Sequence, residues 1–417
     1  MLGLWHIPLV SFSPALDEVS PQDRRLALRA VAGHGGLIDG HLARLAALPA
    51  HGNRRLGIDQ LFLGLLLAFF DPLVRSLRMI EDGGDFGGRL DLPRLARSTT
   101  ADALAVFDPV HLQPIIDDLR ARVPHLARGD ADLSGILRRI VAADGTYLTT
   151  LADVAWALHH TKTNGRRQGQ VRANVQMDVA TWTPQVLSIS GDDGLSEPAS
   201  FIKDLLSGVL YVVDRNFVNF DFLKALLAKD NDFVLRVHGK VPLMQVVSAR
   251  SIGAADAEAG VVADEIVELT RPRAPKGLFR RVTIITRNRQ GKLETIHLLT
   301  NLTSVEIAAA VIGVIYRQRW QIELFFKWLK TWARMDHLLS TSRNGITFQF
   351  YVAVIAVLMM YVQSGRRVSI YALVALGRMV RGECTIQEAM AVIARREHER
   401  DLNRARQARL RDRKKMA

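Results

Sequence analysis

The sequence predicts an α/β protein in which a mixed sheet flanked by helices is interrupted by a β-rich segment and bordered by helical regions. Three observations predict this class. Two short apolar runs end in aspartates, at Asp144 and Asp214. Between residues 238 and 301 apolar and polar residues alternate, with the two-residue period of half-buried strands. Residues 1–130 and 346–417 instead have the apolar spacing of helices.

The predicted core domain consists of residues 131–237 and, after the 238–301 insertion, residues 302–345. SGILRRIVAADGTYL (134–148) contains a strand ending at Asp144, and GVLYVVDRNF (208–217) contains a strand ending at Asp214. Residues 170–190 predict two antiparallel strands with a turn at Thr183-Pro184. Residues 220–230 predict a helix and 232–237 a strand. Capping boxes at Thr303/Glu306 and Thr385/Glu388 predict two helix starts.

The composition is that of a folded protein with a polyanionic partner. Of the 417 residues 48% are hydrophobic and only 14 are proline. The net charge of +13 favours nucleic acid, or less often an anionic membrane surface. A single cysteine, Cys384, excludes a disulfide within the chain and fits a reducing cytoplasm. The apolar runs 61–70 and 351–362 are shorter than the ~20 residues that span a bilayer, so we expect buried core helices.

YRQRWQIELFFKWLK, residues 316–330, places charged residues on an otherwise apolar helix. At about 100° per residue, Tyr316, Arg319 and Lys330 fall within roughly 40° of Glu323. Burying charge is unfavourable unless it is paired. The stripe therefore indicates either a satisfied salt-bridge network in the core or a site for a charged ligand.

Three carboxylates, those of Asp144, Asp214 and Glu323, are candidates for metal chemistry. An aspartate at a strand end often only forms a turn or caps a helix. Cleaving a phosphodiester, however, requires the charge on the attacking and leaving oxygens to be neutralised. Two Mg²⁺ ions ~3.5–4 Å apart, held by oxygen ligands, achieve this. Carboxylates from three elements that meet at a sheet edge would supply the ligands, and the neighbouring cations would face a phosphate.

Tyr316-x2-Arg319-x3-Glu323-x6-Lys330 resembles the Y-R-E-K signature of bacterial DDE transposases of the insertion-sequence-four family. ADGTY resembles the segment with the family's first catalytic aspartate and VVDRNF the segment with the second. The resemblance covers roughly residues 135–335. It implies an RNase H-like catalytic core interrupted by a β-rich insertion. It also implies cut-and-paste transposition by Mg²⁺-dependent nicking, a hairpin intermediate and strand transfer.

Two features depart from the family's pattern. Asn216 stands where the family commonly has glycine, and asparagine tolerates a left-handed backbone almost as glycine does. Some relatives also hold a flipped base with a tryptophan of the β insertion, whereas no tryptophan of this chain lies within 238–301. Phe279 is a candidate replacement, or the hairpin step differs.

The resulting hypothesis is a DNA transposase that binds two Mg²⁺ ions, with Mn²⁺ as a substitute. We expect residues 1–130 to recognise terminal inverted repeats and the basic region 346–417 to contribute to dimerisation and DNA binding. The expected setting is the bacterial cytoplasm, at the nucleoid, with a homodimer in the synaptic complex. Alternatives are an inactive DNA-binding derivative and a general RNase H-like nuclease. The predicted catalytic and metal-binding residues are Asp144, Asp214 and Glu323, and the predicted DNA contacts are Tyr316, Arg319, Lys330, Arg215 and Arg236.

Overall fold

The computed structural model describes residues 37–49, 56–70, 76–82, 95–123, 133, 136, 138–150, 154–161, 167–238, 244–287, 290–331, 335, 337–364, 374–375, 378 and 384–416. The chain divides into two compact units. One comprises residues 125–330, and the other residues 1–124 together with 331–417. The first unit contains Asp144, Asp214 and Glu323.

Ten strands of the 125–330 unit form one sheet. Its spatial order is β2-β3-β1-β5-β6-β10-β9-β8-β7, and β4 also pairs with β3. The strands are β1 (Ile140–Thr150), β2 (Leu158–Thr161), β3 (Arg167–Asp178), β4 (Thr183–Ser190), β5 (Leu210–Val213), β6 (Asp232–Val237), β7 (Met244–Ala249), β8 (Val261–Leu269), β9 (Leu278–Arg287) and β10 (Leu293–Thr300).

The centre of this sheet has the mixed arrangement that the resemblance implies. Strands β1, β5 and β6 are mutually parallel neighbours. On the other side of β1, strands β3 and β4 follow in antiparallel order. This order, with helices on both faces, confirms the mixed α/β class and the RNase H-like core.

Two strand boundaries differ from the prediction. Asp144 lies inside β1 rather than at its end, because β1 continues to pair with β3 as far as Thr150. The turn between β3 and β4 precedes Thr183, which already belongs to β4. Asp178 closes this turn, since its Oδ1 accepts hydrogen bonds from the backbone N–H groups of Ala180 and Thr181.

The insertion is β-rich, as predicted, and extends the same sheet. Strands β7 to β10 pair antiparallel, and β10 joins them to β6. A buried ion pair crosses β8 and β9. Arg280, 2% exposed, donates two hydrogen bonds to the carboxylate of Asp264, at 2.8 and 2.7 Å. A charge buried this deeply requires such a partner.

Helices cover both faces of the central strands. The helices of this unit are α6 (Glu197–Ile202), α7 (Phe220–Ala228), α8 (Ala254–Glu258), α9 (Ala309–Arg317) and α10 (Trp320–Thr331), of which α6, α7 and α9 pack on the central strands. Tyr211 and Val213 of β5 pack with residues of α6 and α7, whereas Leu210 and Val212 pack with residues of α9. Successive strand residues alternate between faces, so α9 covers the face opposite to α6 and α7.

Two sequence predictions, one for the start of α9 and one for the backbone at Asn216, need correction. The predicted capping box at Thr303 and Glu306 is wrong, because α9 begins at Ala309 and has no side-chain cap. Asn216 lies in a short 3₁₀ turn, Arg215–Phe217. Among the described residues other than glycine, only Trp182 and Asp230 have a positive φ. Asn216 therefore does not use a left-handed backbone.

The second unit is helical where it is described. Residues 1–36 lie outside the described part. The helices are α1 (Asp39–Ala46), α2 (Ile58–Phe70), α3 (Leu77–Asp82), α4 (Arg97–Val106), α5 (Gln113–Arg122), α11 (Arg343–Ser364) and α12 (Ile386–Met416).

Two of these helices carry sequence features noted above. Helix α11 is longer than its apolar run predicted, and Arg343–Val362 has the length and composition to cross a membrane. It instead packs against α2, α4 and α5, with 78% of its apolar window buried, as a core helix would. Before α12 the capping box is confirmed. Glu388 accepts a hydrogen bond from the Thr385 N–H, and its own N–H donates to Thr385 Oγ1.

Candidate active site

Asp144 and Asp214 occupy adjacent positions on neighbouring parallel strands. Strand β1 pairs with β5 so that Ala142 lies opposite Val212, and continuing this register by two residues places Asp144 beside Asp214. Adjacent strands lie about 4.8 Å apart, and residues two positions apart share a face. Val212 packs with residues of α9. Both aspartates therefore lie on the face of the sheet that α9 covers.

The signature segment 316–330 forms two helices rather than the single helix that was predicted. Helix α9 ends at Arg317 and α10 begins at Trp320. Between them the backbone tightens: the Arg319 N–H bonds to the carbonyl of Tyr316, and the Ile322 N–H bonds to that of Arg319. These are i→i−3 bonds, typical of helix ends. The angles expected between Tyr316, Arg319 and Glu323 on one straight helix therefore do not apply across the break between α9 and α10.

Three of the four signature side chains, those of Tyr316, Arg319 and Glu323, nevertheless meet. Arg319 Nη2 donates to Glu323 Oε1 at 2.5 Å, and Arg319 Nη1 lies 4.0 Å from Asp144 Oδ2. Its guanidinium carbon lies 5.8 Å from the centre of the Tyr316 ring. The Tyr316 hydroxyl donates a long hydrogen bond, 3.4 Å, to Asp214 Oδ1. Arg319 and Tyr316 thus connect all three predicted catalytic carboxylates in one network.

Burial and like charges raise pKa values in this network. Burial, reinforced by the nearby Glu197 carboxylate and only partly offset by Arg319, raises the pKa of Asp144 to about 7. Burial also raises the pKa of the Tyr316 hydroxyl; Asp214 acts in the same direction, and Arg319 and Arg236 oppose it. Removal from water is thus the main cause of both shifts, and the neighbouring charges modify it.

Three predicted DNA contacts lie outside this network or have other partners. Lys330 is seven residues beyond Glu323, a rise of about 10 Å along α10. It forms no ion pair with any described residue, and burial lowers its pKa. Arg215 is exposed in the turn after Asp214. Arg236 on β6 already forms a 2.5 Å ion pair with Glu294 of β10.

Aromatic packing positions the helix that carries Glu323. Trp182, in the turn before β4, packs edge-on against Phe325 of α10 with ring centres 5.9 Å apart. Its φ of 57° is unusual for a residue other than glycine. Phe279, in contrast, is 2% exposed and packs against Phe233. It is therefore unavailable to stack on a flipped base, and that part of the prediction is wrong.

Sequence inspection did not single out Glu197, the first residue of α6. A Cβ added to Gly145 would lie only 2.4 Å from Glu197 Oε1, so this carboxylate lies against the residue that follows Asp144. Burial raises the pKa of Glu197, the Arg172 guanidinium and a hydrogen bond from the Gly145 N–H oppose this shift, and Asp214 adds to it. An acidic residue in the first turn of a helix is common, and the sequence holds no further signal for it.

The donor set has the chemistry that a hard divalent cation requires, since carboxylate oxygens are its preferred ligands. The guanidinium between Glu323 and Asp144 also shows that the site stabilises positive charge. Within the described residues, no group of three His, Cys, Asp or Glu side chains is close enough to hold one ion together. Metal binding therefore requires these carboxylates to draw together.

Comparisons with known proteins identify the family of the chain. The Transposase DDE domain family matches residues 135–359, and such a domain implies the use of a divalent metal ion. A putative transposase, y4zB, of Sinorhizobium fredii is 27% identical over 236 residues. That match covers 54% of this chain and 63% of the relative's length, less than two thirds of it.

Further similarities extend over more of the chain. A probable transposase for insertion sequence element IS5377 of Geobacillus stearothermophilus is 25% identical, over 70% of this chain and 74% of that protein. A cryo-EM structure of the piggyBac transposase synaptic complex with hairpin DNA is 11% identical, with a TM-score of 0.40, and covers 91% of this chain and 82% of that one. This last likeness is too distant to inform function. Because the family match covers more than half of the chain, the protein belongs to the Transposase DDE domain family.

Proposed function

We propose that the protein is a DNA transposase that moves an insertion sequence by metal-dependent strand cleavage and strand transfer. Membership of the DDE domain family supports this. The observation on which the proposal rests is the convergence of Asp144, Asp214 and Glu323, from two strands and a helix, on one network through Arg319 and Tyr316. The net charge of +13 fits a DNA substrate.

The three carboxylates would hold two Mg²⁺ ions. Ions bound there would neutralise charge on the attacking and leaving oxygens of the phosphodiester. Water would attack phosphorus, and the bond to the 3′ oxygen would break to leave a 3′-hydroxyl and a 5′-phosphate. The freed 3′-hydroxyl would attack a phosphodiester of the opposite strand, displacing that strand's 3′-oxygen as a hydroxyl and closing a hairpin. Water would reopen the hairpin to restore the 3′-hydroxyl and leave a 5′-phosphate. The 3′-hydroxyl would then attack a target phosphodiester and displace the target's 3′-oxygen as a hydroxyl. A hairpin at the element end is part of the proposal, although Phe279 cannot hold a flipped base.

The basic residues around the site would bind the DNA backbone. Arg319 would exchange its carboxylate partners for a phosphate, since its planar guanidinium suits either. Tyr316 would hydrogen-bond the backbone, and Lys330 and Arg215 would contact phosphates further along. Arg236 already pairs with Glu294, and its guanidinium also lies beside the Tyr316 hydroxyl. It would act mainly by positioning Tyr316.

The rest of the chain would bind and pair the element ends. We assign recognition of terminal inverted repeats to residues 1–130. Helix α12 (Ile386–Met416), in the basic region 346–417, would contribute to DNA binding and to the homodimer of the synaptic complex. The reaction would take place on DNA in the bacterial cytoplasm.

The test is cleavage of a duplex taken from the DNA flanking the gene, with the inverted repeat at its end. We expect the wild-type protein to nick this duplex in Mg²⁺. Asp214→Ala should lose cleavage by more than about 100-fold, the upper end of what loss of a group supporting a metal ligand costs. Its DNA binding, measured by mobility shift, should remain.

The alternatives predict other results. An inactive DNA-binding derivative would bind the repeat without cutting it in either form. A general RNase H-like nuclease would cut unrelated duplexes as fast as the repeat. Undiminished cleavage by Asp214→Ala would contradict the three-carboxylate assignment itself.

A further inference from the structure

Strand β10, the last strand of the insertion, reaches the catalytic face of the sheet through Glu294. Leu298 of β10 lies opposite Arg236 of β6, and Leu298 packs in the same core as Tyr316. Glu294 precedes Leu298 by four residues, so its side chain leaves the same face of the sheet. Its Oε1 accepts a hydrogen bond from Arg236 Nη2 at 2.5 Å. The insertion therefore places a carboxylate on the face that α9 covers.

Arg236 connects this carboxylate to the signature tyrosine. Its guanidinium lies within hydrogen-bonding reach of the Tyr316 hydroxyl, which in turn donates to Asp214 Oδ1 at 3.4 Å. A phenolic hydroxyl donates one proton and accepts at its oxygen, whereas a guanidinium can only donate. Because Arg236 donates to the oxygen, the Tyr316 proton is directed towards Asp214. The four side chains form one chain of contacts, Glu294–Arg236–Tyr316–Asp214.

The insertion also contacts α9 nearer to its start. Helix α9 has no side-chain cap from its own N-terminus. Asp256 of α8 instead accepts a hydrogen bond from the Ala310 N–H at 2.7 Å. Gly313 packs so closely on β9 that an added Cβ would lie 2.7 Å from Ile284 Cδ1. These contacts fix the start and the middle of α9 to the insertion, and the contact at Tyr316 completes the set at its end.

A second ion pair of the insertion lies elsewhere. Arg281 of β9 donates to Glu265 of β8 at 2.8 Å, and both partners are half-buried, as Arg236 and Glu294 are. Residue 265 shares its face with Val267, which packs in the core on the side opposite to α9. The Glu265–Arg281 pair therefore joins two strands on the face that points away from the catalytic network.

We propose that Glu294 is a positioning residue for the catalytic network, because it orients Arg236 and, through it, the Tyr316 hydroxyl that contacts Asp214. The inference rests on the proposed function, since it gives the insertion a part in that same site. Glu294 acts only through its neighbours and contacts neither the reacting phosphate nor a metal ion. Without it, the Arg236 guanidinium would turn to other carboxylates, and Tyr316 would lose its fixed orientation.

A double-mutant cycle on cleavage of the repeat duplex tests this role. Single-turnover rates, with protein in excess, are measured for the full-length wild type, Glu294→Ala, Tyr316→Phe and the double variant. We expect Glu294→Ala to slow cleavage about tenfold, the lower end of what loss of a group supporting a metal site costs, at unchanged duplex affinity. The double variant should be no slower than Tyr316→Phe, since residues that act through one contact are not additive.

Glu265→Ala is the matched control, because it removes a half-buried carboxylate from an ion pair on the other face of the insertion. It should cleave as the wild type does. A wild-type rate in Glu294→Ala, or multiplied losses in the double variant, would overturn the role of Glu294 and leave the proposed function intact.

A wild-type protein that cuts no repeat duplex would instead overturn the proposed function. Thermal unfolding then still tests the chain of contacts. Glu294→Ala should lower the midpoint less in the Tyr316→Phe background than in the wild type, because the two side chains are coupled through Arg236. Equal shifts in both backgrounds would overturn that coupling.

Discussion

Replacing Asp144 with asparagine should make the protein more stable at neutral pH while removing its activity. The ordinary pKa of an aspartate is 3.8, and burial with the Glu197 carboxylate raises that of Asp144 to about 7. At 1.36 kcal/mol per pKa unit this difference corresponds to about 4 kcal/mol of unfavourable ionisation in the folded state. The Asp144 side chain is 22% exposed and the variant loses the attraction of Arg319, so we expect a net gain of roughly 2 kcal/mol.

The sign of the pH dependence follows from linkage. Between about pH 4 and pH 7 the folded protein retains a proton on Asp144 that the unfolded chain releases. The free energy of unfolding of the wild type therefore falls as pH rises through this range. Glu197, whose pKa burial also raises, acts in the same direction. In Asp144→Asn the contribution of Glu197 to the pH dependence of the free energy of unfolding remains, and the contribution of Asp144 is lost.

Urea denaturation at pH 5 and pH 8, in EDTA and followed by tryptophan fluorescence, measures this effect. We expect the wild type to lose stability between the two pH values, and Asp144→Asn to lose roughly 2 kcal/mol less. Asp221→Asn, an exposed substitution, should match the wild type. An Asp144→Asn variant that is no more stable than the wild type at pH 8 and keeps the same pH dependence would show that ionising Asp144 does not destabilise the folded protein.

Two further substitutions test the insertion and the centre of the site. Asp264→Ala leaves Arg280 buried without its partner and should lower the free energy of unfolding by about 3–5 kcal/mol. The control, Glu268→Ala, removes an exposed carboxylate from the same strand and should leave the free energy of unfolding almost unchanged. Equal thermal midpoints for the two variants would contradict a stabilising buried pair. Arg319→Lys keeps the charge but loses the planar donor set that contacts Glu323. It should slow cleavage by about tenfold or more at unchanged binding of the repeat duplex, and wild-type cleavage rates would show that Arg319 has no part in positioning.

The sequence alone predicted the parts of the site that depend on local patterns. Asp214 follows an apolar strand, and the spacing of Arg319 and Glu323 places them one helical turn apart, so their contact was predictable. The break between α9 and α10 at Gln318 was not predictable, because no proline or glycine marks it. It arises where i→i−3 bonds replace the regular helical ones.

Contacts between distant segments could not be predicted. Glu197 has the sequence context of an ordinary helix start, and only the pairing of β1 with its neighbours brings Gly145 against it. The partner of Arg236 is set by β10, which returns to β6 only after the whole insertion. Likewise, Phe279 belongs to an alternating strand, and the sequence does not show which face of that strand is buried.

Metal-dependent cleavage at the three carboxylates is measured most directly by strand-resolved cleavage of the flanking-repeat duplex by the wild-type protein, with and without divalent metal. We expect nicks at the repeat boundary in Mg²⁺ that leave a 3′-hydroxyl and a 5′-phosphate, no nicks in EDTA, and none from Asp214→Ala in either condition. Nicks that persist in EDTA, or that leave a 3′-phosphate, would contradict this mechanism.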